Sequence, residues 1–148
     1  MATTPKRRRL LDAYRFPGFT PRDDIHGIFG DPLARVIPLV RHSKKTVCKD
    51  CGRVHTSWYD RTTRRVRDLS CADTRIYLEF EVRRLRCPCT GKVRREGLDF
   101  LADNPLYTKR FAWFVGRRCR SSTIKDVAKE LNLHWGAVKE LDKQYMRA

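Results

Sequence analysis

Two cysteine knuckles constrain this chain more than any other feature. The first is Cys48-Lys49-Asp50-Cys51, followed by Gly52, and the second is Cys87-Pro88-Cys89 at the far end of a strand-like stretch. Thiolates two residues apart converge on one ion because the residues between them turn tightly, and Gly52 offers the positive φ that such a turn uses. A second pair closes a tetrahedron. The expectation is one structural Zn2+ held by Cys48, Cys51, Cys87 and Cys89, in a module whose hairpin buries too little apolar area to hold without it. Only Pro88 separates the second pair, so His55 or Cys71 stands as an alternative fourth ligand. The plainer readings are reduced thiols acting as small apolar side chains, or disulfides. Cys119, within a basic helical pattern, reads as a packed thiol.

Charge narrows the partners. The 148 residues carry 33 Lys and Arg against 17 Asp and Glu, a formal net charge of +16. That excess exceeds what solubility requires and implies a polyanion, nucleic acid first and an anionic membrane surface second. No apolar run approaches the ~20 residues of a spanning helix, which excludes membrane insertion. Basic residues Lys6 to Arg9 are followed by Asp12, Tyr14 and Arg15 rather than an apolar segment, so the N-terminus does not read as a signal peptide. A cytoplasmic location follows, where thiols stay reduced and free for metal.

The punctuation divides the chain into three. Residues 1–34, with Pro5, Pro17, Pro21 and Pro32 among several glycines, show no sustained period and read as an irregular basic leader whose Lys6 to Arg9 cluster could touch phosphates. Residues 35–101 read as a small antiparallel ribbon-like module. Arg35 to Arg41 is an apolar strand that Pro38 would confine to a sheet edge. From Thr74 to Arg84, Ile76, Leu78, Phe80 and Val82 alternate with Tyr77, Glu79, Glu81 and Arg83, a half-buried strand pairing with Arg64 to Leu69 across a turn near Cys71 to Asp73. Between Arg61 and Arg95 eleven basic residues face four acidic ones. Ala102-Asp-Asn-Pro105 then breaks the pattern.

Residues 102–148 read as three helices. Tyr107, Phe111, Phe114, Val115 and Arg118 share one face of the first, and Thr123 with Asp126 forms a capping-box variant that opens the second. Ile124, Val127, Ala128 and Leu131 then fall at i, i+3, i+4 and i+7, Asn132-Leu133 make a turn, and Val138 and Leu141 continue on a third helix. This is helix-turn-helix spacing, with Ala128 at the closest crossing, Asn132 left-handed and Leu133 plugging the corner. The third helix would present His134, Trp135, Lys139 and Lys143 to double-stranded DNA, with Lys125 and Arg120 on phosphates. A structural helical hairpin would show the same apolar spacing. Ten basic residues against four acidic ones in 106–148 favour DNA.

Arg65-Val-Arg-Asp-Leu69, Val82-Arg-Arg-Leu-Arg-Cys-Pro88, Tyr107-Thr-Lys-Arg-Phe111 and Thr123-Ile-Lys-Asp-Val-Ala-Lys-Glu-Leu131 together resemble the N-terminal part of bacterial ISL-three family insertion-sequence transposases. The resemblance covers nearly the whole chain. It implies a zinc finger and a helix-turn-helix that recognise transposon terminal inverted repeats for DNA transposition, ahead of a longer catalytic domain whose acidic triad binds divalent metal. Where the family has Cys-Pro-x-Cys-Gly, this sequence has Cys87-Pro-Cys-Thr-Gly91. The sequence ends at Ala148, after the third helix, so the expectation is a non-enzymatic DNA-binding fragment. Asp60, Asp68 and Asp99 have no fold to gather them into a catalytic centre. The alternative is a stand-alone zinc-ribbon and helix-turn-helix transcription regulator or RNA-binding protein, and a homodimer stays open.

Overall fold

The computed structural model describes residues 7–148. The chain is α+β, with strands β1 (Phe19–Pro21), β2 (His26–Ile28), β3 (Asp31–Arg41), β4 (Thr46–Val47), β5 (Val54–His55), β6 (Asp60–Cys71), β7 (Thr74–Arg86) and β8 (Val93–Arg95), and helices α1 (Lys109–Arg118), α2 (Ile124–Leu131) and α3 (Trp135–Arg147). Strand β7 is the axis. Its alternation buries Ile76, Leu78, Phe80 and Val82 on one face, as period 2 requires. Strand β6 pairs with it antiparallel, Val66 opposite Leu78, and the hairpin closes through Ala72 at φ 55° with Cys71 opposite Thr74. On its other edge β7 pairs with β3 in parallel, Ile37 beside Leu78. The sheet is therefore mixed, where the sequence suggested an antiparallel one.

Pro38 does not confine β3 to an edge. This strand lies inside the sheet, between β7 on one side and β1 and β2 on the other. In an extended strand the N–H and C=O of one residue point to the same side. Pro38 directs its carbonyl to the Arg22 N–H at 2.8 Å, so its missing donor faces the gap between β1 and β2 and breaks no bond to β7.

The leader is not irregular over its described residues. A short 3-10 helix at Leu10–Tyr14 and strand β1 lay Tyr14, Phe16 and Phe19 over the buried face of the sheet. Phe100 stacks on Phe16 with ring centres 4.6 Å apart, and Phe19 meets Phe80 edge-on at 5.1 Å. Each such ring contributes about 1.5–3 kcal/mol by leaving water, which explains why a segment without periodicity is ordered: isolated aromatics anchor it. The Lys6 to Arg9 cluster begins outside the described residues, and Arg9 lies 3.0 Å from Asp23.

The helices form a second core of Phe111, Val115, Val127, Ala128, Leu131, Val138 and Leu141. Thr108 caps α1 by accepting from the Phe111 N–H, Thr123 caps α2 by accepting from the Asp126 N–H, and Asn132 ends α2 at φ 53°, ψ 51°. The Leu133 N–H then donates to the Ala128 carbonyl at 2.9 Å. Ala128 is buried, and a second close approach joins α1 to α3. Gly116 of α1 abuts the Tyr145 ring of α3, and a Cβ at 116 would overlap it.

The two cores are stitched together at β6. Arg67 donates its N–H to the Leu106 carbonyl at 2.9 Å and accepts from the Thr108 N–H at 3.0 Å. Beside it the fully buried Asp68 accepts from Thr108 Oγ1 at 2.7 Å and from Arg110 Nε at 2.8 Å, while Arg110 Nη1 reaches the Ala13 carbonyl at 2.9 Å. Among the described residues no helix is long and apolar enough to cross a membrane.

The Gly116 crossing yields a prediction. Gly116→Ala should cost on the order of 1–3 kcal/mol through overpacking. Combined with Tyr145→Ala it should cost less than the sum of the two single changes, because both act on one contact. Thermal melts of the three variants measure this, and strict additivity would contradict the close packing.

Candidate metal centre and nucleic-acid interface

Parallel pairing places the knuckles. Strands β3 and β7 run the same way, so the segments leaving their C-terminal ends emerge at one end of the sheet, carrying Cys48 and Cys87. The first knuckle closes with the Gly52 N–H on the Cys48 carbonyl at 2.8 Å, Gly52 at φ 76°. The second closes the same way, the Gly91 N–H on the Cys87 carbonyl at 2.9 Å, Gly91 at φ 67°. Both loops therefore span five residues from cysteine to glycine. The early Cys89 shifts a ligand within an unchanged loop rather than shortening the loop.

The sulfurs of Cys48, Cys51, Cys87 and Cys89 all lie within 4.8 Å of one another. Cys48 and Cys89 are 3.6 Å apart, Cys51 and Cys87 3.5 Å. Those separations are far beyond the ~2.05 Å of a disulfide. They approach the ~3.8 Å between sulfurs that metal–sulfur bonds of about 2.3 Å give at tetrahedral angles. Four thiolates so placed suit a soft divalent ion and leave no open coordination position, the arrangement of a structural rather than a catalytic site. His55 sits opposite Thr46 on the β4–β5 hairpin, outside the quartet. Cys71 packs against the sheet core and Cys119 against the helical core, where burial pushes its thiol up.

Protonation of the quartet is uneven. The Cys51 backbone N–H holds the Cys48 thiol down to about 7, whereas desolvation and the neighbouring thiols push Cys89 up to about 12. Four clustered sulfurs cannot all be anionic without a cation, so metal entry must displace protons.

A salt-bridged frame that no spacing rule announces ties the ribbon to the sheet. Glu96 lies beside Cys48 as an isolated bridge. Its carboxylate accepts from Arg41 at 2.8 and 2.7 Å and from the Arg83 N–H at 2.6 Å, and the side chains of Glu96 and Arg41 are 1% and 5% exposed. Arg83 stacks over Trp58 at 3.9 Å. Gly97 presses on Lys49, leaving 3.1 Å for a Cβ. The sheet core of Phe19, Ile37, Leu78, Phe80 and their neighbours lies apart from the four clustered cysteines, so residues 35–101 have a larger apolar core than the hairpin alone suggested.

On the helical side, Trp135, Lys139 and Lys143 follow one another at i, i+4 and i+8 along α3. Trp135 is 56% exposed, and Lys139 Nζ stands 5.9 Å from its ring. Lys143 Nζ lies 3.5 Å from Glu140. His134 is the N-cap: its Nδ1 accepts from the Gly136 N–H at 3.1 Å, which fixes the ring at the helix start. Lys125 is exposed on α2. Arg120 is part-exposed and carries a structural contact as well. Its guanidinium pairs with Asp142, donates to the Gly116 carbonyl and lies 5.4 Å from the Tyr145 ring, bracing α1 against α3.

Comparison with known proteins matches both halves. The zinc-finger of transposase IS204/IS1001/IS1096/IS1165 matches residues 44–89, and the helix-turn-helix domain of transposase family ISL3 matches residues 98–146. A transposase for insertion sequence element IS1001 from Bordetella parapertussis is 36% identical over 106 residues, 72% of this chain and 26% of the relative. The chain thus spans about a quarter of the length of that relative. No solved structure matches the chain.

Cys48→Ser and Cys89→Ser should each abolish stoichiometric metal, while His55→Ala and Cys71→Ser should retain it. Metal loss should speed amide exchange in the two knuckles and leave the sheet core protected. Apparent metal affinity should fall as pH drops through about 7, where Cys48 gains its proton. Metal analysis, hydrogen exchange and a competition titration against pH measure these outcomes.

Proposed function

We infer, for a chain that belongs through these two matched segments to the ISL3 transposase family, that it is the DNA-binding part of an insertion-sequence transposase and recognises the terminal inverted repeats of its element. The observation that carries the reading is α2, a left-handed Asn132 and α3 in succession, with Val138 and Leu141 buried and Trp135 and Lys139 exposed on the same helix. An α-helix so presented fits the major groove, and the formal charge of +16 supplies the attraction to phosphate. Lys139 is the base reader, donating to guanine O6 and N7. Trp135 contacts a thymine methyl, Lys143 and Lys125 contact phosphate, and His134 sets the start of the recognition helix. Arg120, paired with Asp142 and bracing α1 against α3, keeps 45% of its side chain exposed and contacts phosphate from that position.

One Zn2+ on Cys48, Cys51, Cys87 and Cys89 is the metal of this reading. It acts as a cross-link that fixes the two knuckles to each other and supplies no chemistry to a substrate. The proposed division is into 35–101 and 102–148; the matched segments, 44–89 and 98–146, lie on either side of a boundary near residues 90–97, and the described leader packs into the core of the first part. Strand transfer is assigned to the part of the relative that this chain does not span. Asp60 and Asp68, two of the acids an active site would need, are engaged by Arg84 and Arg110. Footprinting on inverted-repeat against promoter DNA separates this reading from a stand-alone transcription regulator.

Lys139→Ala should leave the melt intact and cost about 1–3 kcal/mol on the inverted repeat but much less on random DNA. Leu141→Ala should cost about 2–5 kcal/mol of stability and lose binding by unfolding. For six phosphates engaged, log affinity against log salt should slope at about −5. Equal loss on both DNAs for Lys139→Ala would make it a phosphate contact, and an unchanged melt for Leu141→Ala would refute the assignment of α3.

A further inference from the structure

The buried face of the sheet does not stay apolar along its length. Registers Arg64 with Phe80, Asp60 with Arg84, and Arg84 with Arg95 place Arg64, Arg84 and Arg95 on the same face as Phe80 and Val82, from three adjacent strands. The leader and Leu98 to Leu101 cover this face as far as Val82. Beyond that cover the three arginines line an open cleft of about 610 Å3, together with Lys49 of the first knuckle, Leu98 and Leu101.

Most acids at the cleft are already engaged. Glu96 is held by Arg41, and Asp60 pairs with Arg84. Arg64, Arg95 and Lys49 have no acidic partner among the described residues, and exposed Asp103 at the far rim is the one lining carboxylate without a cation. Arg64 and Arg95 also oppose each other: burial first, and then the Arg64 charge, hold the Arg95 guanidinium below its ordinary range. Two guanidiniums that repel each other are both relieved by a shared anion, and their planar forks match phosphate oxygens. A separate hollow of about 220 Å3, lined by Lys109 and Gln144, shares Ala102 and Asp103 with the cleft. Three guanidiniums spread over three adjacent strands, with Lys49 at the same cleft, suit a polymer of phosphates better than a single small anion.

We propose that the face formed by Arg64, Arg84 and Arg95 is a second DNA contact, seating backbone phosphates outside the stretch that α3 reads. The proposal rests on the DNA-binding reading of α3 and adds to it a sequence-independent grip built on the sheet. Arg64 and Arg95 carry the contact, and Arg84 is oriented for it by Asp60.

The test is the salt dependence of binding to a labelled random-sequence duplex, on which base reading by α3 counts for little. Arg64→Gln with Arg95→Gln should lower the slope of log affinity against log salt by about 1–2 and weaken binding about tenfold at low salt. Its melt and metal content should match the parent, and Arg64→Lys with Arg95→Lys should keep the parent slope. Arg65→Gln, one residue away on the opposite face and paired with Glu79 at 3.2 Å, should keep it too. A parental slope in the double glutamine variant would overturn the proposal, as would an equal effect from Arg65→Gln, which would mean that only overall charge matters. A parent chain with no salt-dependent affinity would instead fail the DNA-binding reading itself, so the two failures are distinguishable.

Discussion

One buried carboxylate joins the parts of this molecule. Asp68 has no contact with solvent, and ionised carboxylates in that position are tolerated only when paired and hydrogen-bonded. Its partners come from α1: the Thr108 hydroxyl, which also caps the helix through the Phe111 N–H, and the Arg110 guanidinium, which reaches on to the Ala13 carbonyl. Sheet and helix therefore meet on the same two oxygens, and Arg110 carries the contact on to the leader. Removing the carboxylate would leave Arg110 half-buried without its anion and strip the cap of its anchor. The orientation of the helices relative to the sheet depends on that contact and on the two backbone hydrogen bonds of Arg67 beside it.

The same economy governs the cysteine end. Parallel pairing of β3 and β7 delivers both knuckles to one place, and the Arg41–Glu96 pair with the Arg83 N–H holds them there before any ion is considered. A metal in such a frame locks an arrangement the sheet has already made. Small fingers that lack a core depend on the ion for folding altogether. Here the aromatic cluster around Phe19, Phe80 and Phe100 provides an independent source of stability.

Periodicity made the centre of the fold legible. Alternation over Thr74 to Arg84, the helical spacing from Ile124 to Leu141, the Thr123 cap and the left-handed Asn132 all follow from local steric rules that act within a few residues. What the sequence hid was non-local. Nothing in Leu10 to Phe19 marks it as a lid, because three aromatics spaced irregularly have neither period. Parallel pairing of β3 with β7 leaves no trace in either strand, and Pro38 argued falsely for an edge because the side to which its missing donor points is set by the partner. The tight crossing at Gly116 requires Tyr145, thirteen-residue α3 in place, to give it meaning. The pairing of Arg120 with Asp142 joins residues twenty-two apart and has no local signal. In the second knuckle the Cys-to-Gly loop length, rather than the Cys-to-Cys count, was the signal that survived.

The parallel strands bear on how the molecule assembles. Contacts between β3 and β7 close a loop that contains the first knuckle and all of β6, and loop closure of that kind is slow relative to the neighbouring β6–β7 hairpin. The hairpin is thus positioned to form early and to present the edge on which β3 docks. Because side chains alternate, docking one residue out of step would turn Ile37 and Leu39 away from the apolar layer and carry Cys48 out of reach of Cys87. An ion requiring all four sulfurs would be retained only by chains whose two distant strands have met in step.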